Sequence, residues 1–84
     1  MSIFEIGEIL RTARRAQNYS QEEVALALGM SRSTISGIEN GTITEIGIRK
    51  VLALCAHLGV ELVAHKKSAR PTLAELQQEN NHRA

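Results

Sequence analysis

Aromatic side chains are almost missing from this chain: Phe4 and Tyr19 are the two, and there is no tryptophan. A core with so few rings must be built from Leu, Ile, Val and Ala, which suits a small helical domain. Cysteine is single, at Cys55, which excludes an internal disulfide framework and a cysteine cluster for zinc. An intracellular, reducing compartment, the cytoplasm, is therefore the expected location. Aspartate is absent. The histidines, His57, His65 and His82, do not fall at metal-ligand spacing. Ser31 and Ser33 have no histidine near them in sequence, and the glycines form no phosphate-binding loop. No enzymatic site and no cofactor are expected. No apolar run reaches the roughly 20 residues that cross a bilayer. The amino terminus, MSIFEIGEIL, lacks the basic start of a signal peptide. Repeats and low-complexity tracts are absent. Net charge is only +1 over 84 residues, so any nucleic-acid role must rest on where charges stand, not on how many there are. A chain of this length buries a modest core, and dimerisation would help it.

What is present centres on Gln21–Asn40, QEEVALALGMSRSTISGIEN. Val24 and Leu28 share one helical face, and Ile35 and Ile38 share another. Between them Gly29 accepts φ > 0 at no steric cost and ends the first helix. Ser20 and Glu23 have capping-box spacing, and Ser31 caps a second helix from Arg32 to Asn40. Ala25 is small where the second helix must cross.

Upstream, Ser2 and Glu5 predict a helix from about Ile3 to Gln17. Its inner face is Ile6, Ile9, Leu10 and Ala13, with Glu5, Glu8, Arg11 and Arg15 in solvent. Asn18 suits a left-handed terminus. Arg14 continues the Ile6–Leu10 row and so points inward or to the rim, where it needs a partner; a phosphate contact is the alternative. Downstream, residues 41–44 form a loop. A further helix runs from Glu45 or Ile46 to Leu58 on a stripe of Ile48, Val51, Leu52, Cys55 and Leu58, with Cys55 in a packing role. Gly59 stops it. Val60–Lys66 reads as a short strand with no partner edge in its own chain. Lys66, Lys67 and Arg70 form a small basic cluster. Pro71 breaks the run, and Thr72 with Glu75 starts a short helix to about Asn80.

Gln21, Ala25, Gly29, Ile35, Ile38 and the following Glu39-Asn40-Gly41 resemble the helix-turn-helix of the Xre family, the phage-repressor and Cro-like proteins. The resemblance runs from about Ile6 to Val60. It implies an all-α, repressor-like bundle of four to five helices, here with a short carboxy-terminal strand that pairs across a dimer. It also implies that the second helix of the motif enters the major groove of DNA. Arg32 and Ser33 then lead, with Thr34, Ser36 and Gly37 next. Arg32 is the strongest candidate for reading a base, since arginine bonds O6 and N7 of guanine together. Ser31 and Gln21 stand at helix starts where backbone N–H groups bind phosphate. Asn40 is expected on the backbone, with Arg49 and Lys50 compensating for a loop that lacks basic residues. Gly37 departs from the family, which commonly has a longer polar side chain there. The resemblance further implies an ion pair between Arg14 and Glu39.

These elements divide the chain into a DNA-binding domain (1–60), a dimerisation strand (61–67, with Leu62, Val63, Ala64 and His65) and a tail (68–84). The expected function is a dimeric repressor on a palindromic operator in double-stranded DNA. Position and type of the strand and tail also resemble antitoxins of HipA-type toxin–antitoxin pairs, which makes a HipA-like toxin a second possible partner. The alternatives are a free-standing phage-type or chromosomal regulator without a toxin, and a protein-interaction module without a DNA role.

Overall fold

The structure, a computed structural model, describes residues 2–67. Four helices follow one another: α1 (Ile3–Ala16), α2 (Gln21–Leu28), α3 (Arg32–Asn40) and α4 (Ile48–Leu58). The helix expected from Thr72, with Arg70 and Pro71 before it, lies outside the described residues.

Local chemistry sets the helix starts. The Glu5 N–H donates to Ser2 Oγ at 3.2 Å. Ser20 and Glu23 form a complete capping box, with bonds of 3.0 and 3.1 Å. The Thr34 N–H donates to Ser31 Oγ at 3.1 Å. The ends share one geometry as well. At each, an N–H just past the helix reaches back five residues: Tyr19 to Arg14, Met30 to Ala25, Thr42 to Gly37 and Val60 to Cys55. This closure needs one left-handed residue. It is Asn18 at φ 60° after α1 and a glycine after each of the others.

The core consists of Leu10, Val24, Ala25, Ile35, Ile38, Val51, Leu54, Cys55 and Leu58. Three expectations change here. Ile9, assigned to the inner face of α1, is 51% exposed, because the face turned to α3 runs through Gly7, Leu10 and Arg14. On α4 the buried stripe is Val51, Leu54, Cys55 and Leu58, while Ile48 and Leu52 are 62% and 47% exposed. That helix also begins later than expected, at Ile48, after Gly47, which offers no side chain for a cap. The irregular run before it turns Ile43 and Ile46 onto the core. Burial pushes the Cys55 thiol above its ordinary pKa, in keeping with a packing role. His57 stacks on Tyr19 with ring centroids 5.7 Å apart.

One contact sets how closely α1 and α3 approach. A Cβ on Gly7 would lie 2.6 Å from the Ile38 carbonyl oxygen and closer still to that of Glu39. Only a residue without a side chain fits against that backbone.

Residues 60–67 carry no regular secondary structure within the chain. Leu62 packs against the core, while Val63 is 47% exposed and Ala64 and His65 are exposed. A strand ladder requires a second edge, and the described residues supply none. None of the described helices is long and apolar enough to cross a membrane.

Candidate nucleic-acid interface

Helices α2 and α3 form a helix-turn-helix joined by Gly29, Met30 and Ser31. The turn is sharp because Gly29 takes φ 65°. Ile35 and Ile38 anchor one face of α3 in the core. Its opposite face leaves Arg32, Ser33 and Asn40 exposed and Ser36 half-buried. Ser31 bonds the Thr34 hydroxyl as well as its N–H, at 2.8 Å, so both side chains serve the helix start.

An open hollow of about 400 Å³ brings together Gln21, Arg32, Ser33, Ser36, Gly37, Thr42 and Ile43. A second, lined by Arg14, Arg15, Ser20, Gln21, Glu22 and Arg32, shares Gln21 and Arg32 with it. Arg32 thus stands between the first hollow and the start of α2, where backbone N–H groups point outward. Two acidic residues, Glu22 and Glu23, share that first turn. Arg49 and Lys50 are exposed on the first turn of α4 and line neither hollow.

Behind this face lies a charged network centred on Glu39, which is 2% exposed. Arg14 Nε and Nη2 donate to its two carboxylate oxygens at 2.7 and 3.0 Å. Arg14 Nη1 donates to the Tyr19 carbonyl at 2.7 Å. Gln21 Nε2 donates to Glu39 Oε1 at 3.2 Å, and Arg11 Nε is 3.5 Å from the same oxygen. Burial alone would raise the Glu39 pKa. The donated hydrogen bonds and the arginine charges outweigh it and hold the carboxyl below its ordinary range. The hydrogen bond to Glu39 raises the pKa of Arg14 in turn, so both groups stay charged.

Three residues with other expected roles also take part in this network. Arg11, assigned to solvent, bonds Asn40 Oδ1 and faces Glu39. Asn40, assigned to a DNA backbone contact, is held by Arg11 and donates to Ser36 Oγ at 3.3 Å. Gln21, assigned to a phosphate, directs its amide toward Glu39. Its backbone N–H at the helix start does not depend on that side chain.

Two residues of the hollow went unforeseen, Thr42 and Ile43. The trace of them in sequence is a paired oddity: a glycine where a side chain is usual, and six residues later an isoleucine between two threonines.

A family model described as helix-turn-helix matches residues 10–64. The chain belongs to that family. This helix-turn-helix protein is of the Xre type, with a repressor-like helical fold. It is 35% identical over 71 residues to the uncharacterised HTH-type transcriptional regulator y4dL of Sinorhizobium fredii. It is 57% identical over 35 residues to an HTH-type transcriptional regulatory protein of Methanocella arvoryzae. Those alignments cover 84% and 42% of the helix-turn-helix protein but 36% and 11% of the two relatives, which are much longer. The crystal structure of the restriction-modification controller protein C.AhdI from Aeromonas hydrophila superposes with a TM-score of 0.63 at 32% identity. That match covers 70% of this chain and 88% of C.AhdI.

Proposed function

We propose that this protein is a cytoplasmic, non-enzymatic repressor that binds a palindromic operator as a dimer, with α3 in the major groove. The observation that carries the reading is Arg32, exposed at the start of α3 on a hollow shared with Ser33, Ser36 and Gln21. Arg32 reads a guanine edge, and Ser33 bonds a base or a phosphate beside it. The Gln21 N–H, the Ser31 end of α3 and the exposed Arg49 and Lys50 position the backbone. Thr34 and Asn40 hold the helix rather than touch DNA.

A dimer is supported by apolar side chains left in solvent, Ile48 and Leu52 on one row of α4 and Val63 beyond it. In this reading, residues 61–67 of two chains pair about a two-fold axis through Leu62, Val63, Ala64 and His65, so each edge satisfies the other. The two α3 helices then stand about 34 Å apart, one DNA turn. An antitoxin role beside a HipA-like toxin extends the same reading, with residues 68–84 binding a second protein while α3 holds DNA.

The test is selection of duplexes from a random pool by the full-length protein, with sedimentation of the protein alone and bound. The reading predicts an enriched inverted repeat bound by two chains. A pool that stays random at low salt, or a monomer bound to a single non-repeated site, would overturn it.

A further inference from the structure

Ile43 belongs to a loop whose neighbours Thr42, Thr44 and Glu45 are polar. It is half-buried and lines the same open hollow as Arg32, Ser33 and Ser36. What brings it there is Gly37. The closing bond of α3, from the Thr42 N–H to the Gly37 carbonyl at 3.0 Å, folds the loop back across the helix. A Cβ on residue 37 would lie 2.7 Å from Ile43 Cδ1 and nearer still to Cγ1. The isoleucine therefore occupies the space that a side chain at 37 would take. Residue 37 is one turn beyond the exposed Ser33, and Gly37 itself is buried. The position has not been left empty: an apolar side chain from another segment fills it.

We infer that Ile43, seated on Gly37, is a specificity-determining residue that packs against the 5-methyl group of a pyrimidine in the major groove. The inference rests on the DNA-binding reading above and names the chemistry of one position in its target. Ile43 has no donor or acceptor to offer a base edge. The apolar feature of the major-groove floor is the C5-methyl of thymine, and a 5-methylcytosine presents the same group. Arg32 and Ile43 on one hollow would then read a guanine and a methylated pyrimidine close together. Part of Ile43 also borders Ile6, Val51 and Leu62, so a loss of affinity on truncation alone would not separate recognition from packing.

The separating experiment changes the DNA. Duplexes enriched from a random pool by the full-length protein are remade with deoxyuridine in place of each thymine in turn, which removes one methyl and nothing else. At one thymine per half-site the wild-type protein should bind about fourfold more weakly, the value of one buried methyl group. Ile43→Ala should bind the thymine and deoxyuridine duplexes equally, and Ile43→Val should keep part of the difference. Replacing that thymine by cytosine and by 5-methylcytosine distinguishes the sources. Recovery with 5-methylcytosine assigns recognition to the methyl whatever the base, and recovery only with thymine assigns it to thymine. Equal wild-type affinity for thymine and deoxyuridine at every position would overturn the inference, and so would a methyl dependence that survives in Ile43→Ala. Failure to enrich any duplex would instead remove the DNA-binding reading, and this inference with it.

Discussion

The two ends of α3 treat arginine in opposite ways. At the carboxy-terminal end Arg14 is 7% exposed and reaches Glu39 and the Tyr19 carbonyl through three hydrogen bonds. At the amino-terminal end Arg32 is exposed and has no ion-pair partner among the described residues. A buried guanidinium is stable only when its donors are satisfied, and its partner suffers as much as itself when it is removed. An exposed arginine at a helix start contributes little to the fold and keeps its fork of donors free for a ligand. One helix thus carries an end tied into the fold and an end whose arginine is left open to a ligand, and the two should separate under mutation.

Removing the structural end should have the largest effect. Arg14→Ala leaves Glu39 buried without its main partner, a change that costs about 3–5 kcal/mol where a buried pair is broken. Thermal unfolding should show a melting point lower by more than about 10 °C for a domain this small. A melting point unchanged in Arg14→Ala would erase the distinction between the two ends. Next is Gly7→Ala, at the seat of α3 on α1. Helix propensity favours the alanine by roughly 0.5–1 kcal/mol. Overpacking against the backbone of Ile38 and Glu39 costs about 1–3 kcal/mol and should win. A stabilised Gly7→Ala would mean that α1 shifts at little cost.

Acid should give the smallest effect. The folded pKa of Glu39 lies below its unfolded value, so its stabilisation is present above the ordinary carboxylate range and fades as pH falls through the folded value. Denaturant melts should therefore lose stability below about pH 4, and Glu39→Gln, weaker at neutral pH, should lack that component. A parallel acid decline in the two proteins would assign it to other carboxylates.

Much of this arrangement is legible in the sequence. The capping box at Ser20, the left-handed Asn18 and Gly29, and the row that turns Arg14 inward follow from local chemistry and helical period. The misplaced residues share a cause. On α4, Leu52 and Leu54 both fit a helical spacing, and the choice between them is made by where the neighbouring helix lies. Ile9 is apolar on an amphipathic helix, yet α1 turns toward the small Gly7 because two backbones meet there. Arg11 is long enough to reach Glu39 from a surface position, which periodicity does not reveal. Ile43 depends on a loop closing over Gly37, a contact between two segments that only the fold brings together.

The most direct test of the division is Arg32→Ala, titrated against a selected duplex and a scrambled duplex of the same length in the same salt. The predicted result is a loss of about 1–3 kcal/mol per half-site on the selected duplex, much less on the scrambled one, and an unchanged melting point. An equal loss on both duplexes would make Arg32 a phosphate contact, and would contradict the claim that this end of α3 reads sequence.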